Sequence, residues 1–334
     1  MTPVLCAPLR VEQAALRRAA PALRGIHTGM GPRRSAAAAA RLPSGGSPLL
    51  VAGVGGGTSE DIRPGDIVVA SELVSERRQV TLPSARLLVS ALRGLGLTVH
   101  IGPVACTLRV ADGARRAAIG GTGALAVDTE SILFADAAGS AAFAVVRSIV
   151  DTPDKPLWRV GTLSRGLTAL RTLRASVPAL RQWAAASMSR EISLAAPRSC
   201  CTGVVTKVHS EVRRHAGQGD ICYATTNRQR VVRAVAARAD LVLVVGSRNS
   251  ATSQRLVEVA ERDATPAHLV EDASEVDLRW LAGVRRIGIT ANASAPQPLV
   301  HELVHCLAGL GPTIVLENTV TDEEVRFTFP KEVG

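Results

Sequence analysis

The sequence predicts an α/β protein with two domains. Strand-like apolar segments alternate with segments of helical period along most of the chain, and several strands end in loops of glycine or hydroxyl residues. Regular alternation of this kind indicates a parallel sheet with right-handed crossovers, most clearly in the second half. The 334 residues leave room for two domains, because a domain has about 150 residues.

The first half, residues 1–186, is predicted to be one α/β domain. Loops of small residues at 28–31 and 55–57 lie among its first strands and helices. In an α/β sheet the ligand site lies at such strand ends. The alanine run 36–40 belongs to an ordinary helix, and residues 187–191 form a linker. The predicted strands are 4–7, 48–53, 66–70, 98–102, 124–127 and 141–150, and the predicted helices are 11–23, 131–138 and 169–186.

The second half, residues 192–334, has the more regular alternation. Its predicted elements are strands 192–196, 241–245, 267–270 and 285–290 and helices 227–239, 254–262, 277–281 and 297–310. Loops 246–253 and 291–296 each leave a parallel strand and enter a helix, whose free N–H groups and dipole favour phosphate. Spacing alone leaves open whether Thr252, Ser253 and Ser294 bind a ligand or only cap their helices.

Composition and charge limit the function classes. The formal net charge of +10 comes mostly from arginines scattered over predicted helices, and aromatic residues make up only 2%. Without a basic run interleaved with aromatics we expect no nucleic-acid partner, whereas anionic small substrates fit the charge. No apolar run reaches about 18 residues, so we expect no membrane span and a cytoplasmic protein. The six cysteines are expected to be reduced thiols.

Four blocks of the second half form a specific set: DICYATTNRQ at 220–229, DLVLVVGSRNS at 240–250, RLVEVAER at 255–262 and GITANASAP at 288–296. Together they resemble one enzyme family, the 4-hydroxy-3-methylbut-2-enyl diphosphate reductases (LytB/IspH) of non-mevalonate isoprenoid biosynthesis. Upstream, LAAPRSCCTGV at 194–204 is similar to the family's opening block, and VTKVHSEV at 205–212 to the segment after its second cluster cysteine.

The resemblance implies a metal site and a diphosphate site. Cys201 and Cys222 match the first and third cysteine ligands of a [4Fe-4S] cluster, and Ser250, Thr252 and Ser294 match the diphosphate-binding set, with Thr252 in place of an asparagine. An allylic diphosphate would be the substrate, and an electron donor such as ferredoxin or flavodoxin would be the partner of an active reductase.

This resemblance is incomplete. Two internal segments of the family are missing, and with them the second cluster cysteine, the substrate histidines and a His-Pro-Glu motif. Cys200 adjoins Cys201, but neighbouring side chains rarely converge on one metal. We therefore expect an incomplete LytB/IspH-like α/β domain that keeps the parallel sheet and lacks normal reductase turnover.

Four short blocks stand out in the first half: TGMG at 28–31, GDIVVA at 65–70, VDTES at 127–131 and VRSIVD at 146–151. With them the first half resembles the nucleoside phosphorylase superfamily, in particular its hopanoid-associated branch. It implies glycosidic-bond cleavage of a ribosyl compound, with phosphate or water as the nucleophile. The carboxylates in the last two blocks could also simply cap a helix or stabilise a turn.

The resemblance assigns roles to six residues of the first half. Asp151 would protonate the leaving base, Glu130 would bind the ribose hydroxyls, and Glu12 lies where related hydrolases hold a water-binding acid. Thr129 replaces the family's usual methionine. The phosphate or water site would comprise Gly29, Gly31 and Arg33.

The sequence thus predicts a fusion of a nucleoside phosphorylase-like domain with an iron-sulfur oxidoreductase-like domain. The alternative is a non-catalytic relic or scaffold that only binds diphosphates or partners. Which nucleoside is bound, and whether the chain forms a homo-oligomer, stay open at this stage.

Overall fold

The computed structural model describes residues 2–19, 23–42, 46–111, 113–157, 159–195, 212–217, 224–292 and 295–320. The chain divides into two compact units. The first unit comprises Met1–Ser189, Ala273–Val284 and Glu302–Pro312, and the second comprises Arg190–Asp272, Arg285–His301 and Thr313–Gly334. The boundary between domains at residues 187–191 stays a prediction.

The first 189 residues contain eight described strands and seven described α-helices. In chain order these are β1 Val4–Ala7, α1 Arg10–Ala19, β2 Arg24–His27, α2 Pro32–Ala39, β3 Leu49–Gly57, β4 Ile67–Val74, β5 Gln79–Thr81, α3 Ala85–Arg93, β6 Val99–Cys106, α4 Gly113–Gly120, β7 Ala126–Asp128, α5 Ala135–Ala138, β8 Phe143–Asp151, α6 Thr162–Ala175 and α7 Val177–Ala186. A 3₁₀ turn at Ser131–Phe134 lies between β7 and α5.

Five strands of this unit close into a ring. Strand β3 pairs with β8 and β7, strand β4 pairs with β8 and β6, and β6 pairs with β7. Strands β1 and β2 extend the sheet beyond β3 in parallel, and β5 is an antiparallel edge beyond β4. Pairing on both sides explains why every residue of β8 is buried, and why this strand reads as an apolar run.

The second unit is a parallel sheet. Its described elements are β9 Arg190–Ala195, β10 Val212–Gly217, α8 Ala224–Ala236, β11 Leu241–Val245, α9 Ala251–Arg262, β12 Ala267–Val270, β13 Arg286–Ala291 and β14 Thr313–Val320. Helix α10 Gln297–Ala308 begins in this unit, and its part from Glu302 onward belongs to the first unit. The strand order is β10-β14-β9-β13-β11-β12, and every described pair is parallel. Val242 and Val244 on one face of β11 pack with Leu256 of α9 and Val232 of α8. The predicted α/β fold with a parallel sheet is confirmed.

Some predicted elements are wrong in position or type. Residues 55–57 are not a loop, because β3 continues through all three glycines. The predicted helix 169–186 is two helices, with Pro178 in the first turn of α7, where a missing N–H costs least. The predicted helix 277–281 consists of turns, and helix 11–23 stops at Ala19, before the strand β2.

No helix among the described residues is long and apolar enough to cross a membrane.

Candidate active site

Three strand ends meet at Gly56. In the registers of β3 with its two neighbours, Gly56 is opposite Asp151 of β8 and opposite Val127 of β7. A cavity of about 140 Å³ opens there. Its lining includes Glu12, Glu130 and Asp151, the three acids for which the sequence predicts catalytic roles; the roles themselves stay predictions.

Glu12 reaches this cavity from the first turn of α1. Its side chain accepts hydrogen bonds from the backbone N–H of Leu9 at 2.6 Å and of Val54 at 2.7 Å, and the residue is only 1% exposed. Burial raises the pKa of Glu12 to about 7, although both N–H donors and the charge of Arg147 act to lower it. The carboxyl group can therefore take up or release a proton near neutral pH.

Arg147 contacts two acids of the cavity lining, Asp128 and Glu130. It lies on β8, fully buried, and donates through Nε to Asp128 at 2.9 Å and through Nη2 to Ser131 at 2.7 Å. The Nη2 atom also lies 3.1 Å from Oε1 of Glu130. Among the described residues, its Nη1 atom has no hydrogen-bond partner.

The two acids held by Arg147 differ in their affinity for protons. Burial acts to raise the pKa of Asp128, but the charge of Arg147 and the hydrogen bond from Ser131 outweigh it and lower that pKa. The pKa of Glu130 is raised, by burial first and by Asp128, against the attraction of Arg147. Glu130 also accepts a hydrogen bond from Thr129 Oγ1 at 2.5 Å. Asp128 is thus the structural carboxylate, and Glu130 faces the cavity.

Asp151, at the end of β8, forms a buried ion pair with Arg116 of α4, through Arg116 Nη1 and Asp151 Oδ2. Arg116 donates in addition to the carbonyl of Ala111, through Nε at 3.0 Å and Nη2 at 2.7 Å. Burial raises the pKa of Asp151, while the hydrogen bond and the charge of Arg116 oppose that rise.

The glycines of β3 make room for these two arginines. A Cβ atom at Gly53 would lie 2.9 Å from Arg147 Nη1, and one at Gly56 would lie 2.9 Å from Arg116 Cζ. Both distances are shorter than real Cβ contacts. The row of glycines therefore has a steric purpose beside the cavity, although it is not the loop that the sequence suggested.

The predicted phosphate or water site lies on the neighbouring segment between β2 and α2. Gly29 and Gly31 have φ of 78° and 89°, values that favour glycine. Met30 between them lines the cavity, and the Gly29 carbonyl accepts a hydrogen bond from Ser35 Oγ at 3.1 Å. Arg33 is exposed on α2. The phosphate-binding role of Gly29, Gly31 and Arg33 stays a prediction.

Neither arginine of the cavity was identified from the sequence. Arg147 had a usable signal, because it is the single cation within an apolar strand. Arg116 had none, because its pairing with Asp151 depends on where α4 lies relative to the end of β8.

In the second unit, the two predicted phosphate loops lie at one sheet edge. Val245 and Ala291, the last residues of the parallel neighbours β11 and β13, are opposite each other. Ser250 caps α9 by accepting from Ser253 N–H at 3.3 Å, and Asn292 Nδ2 donates to Ser250 Oγ at 2.9 Å. Thr252 lies half-buried in the first turn of α9. The residue that caps α9 is therefore Ser250 and not Thr252 or Ser253, which lie inside the helix; a ligand at this loop stays a prediction.

Several predicted site residues lie outside the described residues: Cys201, Cys222 and Ser294. Within the described part of the chain, no group of three His, Cys, Asp or Glu side chains could hold a metal ion. Cys6 and Cys106 do not fit as ligands either, because burial raises the pKa of both thiols, that of Cys6 to about 12. Two matched cysteines do not make up the three-thiolate donor set of the cluster, and we derive no chemical step through it.

Two family models match the chain, in separate segments. The phosphorylase superfamily model matches residues 25–165, and the LytB protein model matches residues 192–308. Each model matches less than half of the chain. The predicted resemblances to the LytB family and to the phosphorylase superfamily are confirmed, each for its own segment, and the hopanoid-associated branch stays a prediction.

The curated relatives resemble the second segment. A 4-hydroxy-3-methylbut-2-enyl diphosphate reductase of Mycobacterium bovis is 47% identical over 114 residues, which is 34% of this chain and 35% of that protein. The reductase of Actinobacillus succinogenes is 52% identical over 116 residues, 35% of this chain and 37% of that protein. The match thus spans little more than a third of these relatives' length.

Two solved structures are similar in fold to about half of this chain. The 5'-methylthioadenosine/S-adenosyl homocysteine nucleosidase of Campylobacter jejuni has a TM-score of 0.48 at 14% identity and covers 55% of this chain and 99% of its own. Futalosine hydrolase of Helicobacter pylori has a TM-score of 0.46 at 15% identity, with coverage of 54% and 96%.

Proposed function

We propose that the first unit cleaves the N-glycosidic bond of a ribosyl compound. The observation that carries the proposal is the convergence of Glu12, Glu130 and Asp151 on one cavity, with burial raising the pKa of each. Carboxyl groups whose pKa is raised above its usual range are suited to general acid and base catalysis. The match of residues 25–165 to the phosphorylase superfamily supports the same reaction class.

In this mechanism the protonated carboxyl of Asp151 gives its proton to the leaving nitrogen, which takes the electron pair of the glycosidic bond. The ribosyl group then carries positive charge, and Glu130 stabilises it while binding the ribose hydroxyls. Water adds to the anomeric carbon and loses a proton to the Glu12 carboxylate. With phosphate in place of water the product is a sugar phosphate, and no proton transfer to Glu12 is required.

Arg147 has a supporting role in the proposal. Its Nη2 atom holds Glu130 and Ser131, and a Cβ atom at Gly53 would lie within 3.0 Å of both Arg147 Nη1 and Glu12 Oε1. The guanidinium and Glu12 thus border the same small volume beside Gly53.

The experiment is release of base from a panel of ribosyl compounds, such as adenosine, inosine and 5'-methylthioadenosine, with and without phosphate. We expect Asp151→Asn to reduce kcat by about 10²-fold or more. Asp154→Asn, a surface substitution in the same segment, is the control and keeps full activity. Detection of free ribose or of ribose 1-phosphate identifies the nucleophile. No base release from any compound contradicts the proposal and favours a non-catalytic protein.

For the second unit we propose binding of an allylic diphosphate without reduction, in the context of isoprenoid metabolism. Identity of 47–52% to diphosphate reductases over about 114 residues supports it, as do the hydroxyls of Ser250 and Thr252 at the start of α9. Calorimetric titration with dimethylallyl diphosphate and with inorganic pyrophosphate tests it. Ser250→Ala is expected to weaken binding by about tenfold, and Ser247→Ala in the same loop is the control. No heat of binding with either ligand contradicts it.

A further inference from the structure

The Arg116–Asp151 ion pair has no place in the mechanism proposed above. Only 3% of the Arg116 side chain and 4% of the Asp151 side chain are exposed. A buried ion pair offsets the cost of dehydration only when the geometry is good and the remaining donors are satisfied. Both residues also line the cavity, so the pair lies where the leaving group of the ribosyl substrate would be.

Arg116 is itself fixed on two sides. Its Nε and Nη2 atoms share the carbonyl oxygen of Ala111, and its Cζ lies against Gly56, where any larger residue would displace it. A guanidinium held in this way has little rotational freedom left. It can therefore impose an orientation on the carboxylate that it contacts, through the single oxygen Oδ2.

We infer that Arg116 is a positioning residue, which holds Asp151 by Oδ2 and leaves Oδ1 for the leaving group. This inference rests on the proposed glycosidic-bond cleavage and extends it. Asp151 alone at a strand end would be free to rotate, and a misplacement of about 1 Å costs about 10²-fold in rate. The fixed arginine removes that freedom before the substrate binds.

Removal of Arg116 is expected to change the pH dependence of the reaction. The cations that act on Asp151 are Arg116 from α4 and Arg165 from α6, and the acids Glu12 and Glu130 line the same cavity. Removal of Arg116 takes away a charge and a hydrogen bond that favour the carboxylate, so the pKa of Asp151 rises. A general acid acts in its protonated form, and the fall in kcat/KM at high pH therefore moves to higher pH.

The first test compares Arg116→Gln with Arg115→Gln, its exposed neighbour on α4, in base release between pH 5 and pH 10. We expect R116Q to lower kcat/KM by about 10²-fold at the optimum and to move the high-pH limb up by about one to three pH units. R115Q is expected to match the wild type. A limb that stays in place in R116Q overturns the inference, since loss of a purely structural arginine does not move it.

A second test does not depend on activity. In full-length protein labelled with ¹³C at the aspartate carboxyl carbons, the Asp151 signal is assigned by its loss in Asp151→Asn and titrated in wild type and R116Q. A higher midpoint in R116Q supports the inference, and an equal midpoint overturns it, even when no substrate is cleaved and the proposed function fails. If R116Q does not fold, Arg116→Lys replaces it: a lower kcat at constant KM supports the inference, and an unchanged kcat overturns it.

Discussion

The Nη2 atom of Arg147 lies 3.1 Å from Oε1 of Glu130, in a part of the first unit where neither side chain is more than 5% exposed. The same guanidinium also holds Asp128. One cation therefore faces two acids, with Glu12 as a third that feels its charge. Burial is the main reason why the pKa of Glu130 and that of Glu12 are raised; the neighbouring acids add to the rise and Arg147 opposes it.

The first prediction concerns the stability that Arg147 provides. Arg147→Met leaves Asp128 and Glu130 buried without a counter-charge, and removal of one partner from such a group costs about 3–5 kcal/mol. Unfolding in urea measures the loss in free energy. Arg63→Met, at an exposed turn, is the control and changes stability by less than about 0.5 kcal/mol. If the free energy of unfolding changes as little in R147M as in the control, Arg147 does not neutralise the acids.

The second prediction follows from Glu12, whose pKa burial raises from the usual 4.5 to about 7. The folded protein then binds more protons at this group than the unfolded chain does, so its contribution to stability is complete below pH 4.5 and is lost as the pH rises through 7. The loss is up to about 3 kcal/mol.

Unfolding free energies measured from pH 4.5 to pH 8 check this sign. Glu12→Gln has no titrating group at this position, and its stability should decline less over that range than that of the wild type. The glutamine also loses one of the two backbone N–H contacts, which lowers its stability by a constant amount. Equal slopes for the two proteins would falsify the assignment of the raised pKa to Glu12.

The third prediction concerns the close approach of Arg116 to β3. Gly56→Ala places a Cβ atom 2.9 Å from Arg116 Cζ, so the guanidinium must shift, and overpacking of this kind costs about 1–3 kcal/mol. We expect lower stability together with a lower rate of base release.

Gly166→Ala is the matched control. Gly166 lies in α6 with no heavy atom within 4 Å of an added Cβ, and alanine favours a helix by about 0.5–1 kcal/mol. The two glycine variants should therefore change the midpoint of thermal unfolding in opposite directions. Equal shifts would show that Arg116 does not need the space at Gly56.

Much of the fold can be predicted from local sequence pattern, because strands and amphipathic helices each have a characteristic spacing of apolar residues. Strands such as β8 and β11 are predicted within one or two residues, and the positions of Glu130 and Asp151 at strand ends follow directly. Short elements are not predicted, among them β2 and α4. Four or eight residues of mixed polarity have no period of their own, and tertiary pairing decides their structure.

The site is predictable to the extent that its residues lie at strand ends. Asp151 and Glu130 lie in motifs, and Glu12 was placed only by its position in related hydrolases. Arg116 lies in a short helix that no pattern marks, and its partner is 35 residues away. The glycines at 55–57 show the same limit. Their sequence is typical of a loop, and the need for space beside a guanidinium becomes visible only when α4 is placed against β3.

The last prediction concerns the [4Fe-4S] cluster implied by the resemblance of the second half. Cys201 and Cys222 match two of its cysteine ligands, and cluster binding with an open iron needs three thiolates. After anaerobic reconstitution with iron and sulfide and removal of the excess, we expect far less iron and acid-labile sulfide per chain than one full cluster. Cys201→Ala and Cys222→Ala should leave both quantities unchanged. The prediction is contradicted if the protein is stably coloured, holds a full cluster and loses it on either substitution, because the chain would then supply a third ligand. Cys200→Ala would then test whether the neighbouring thiol is that ligand.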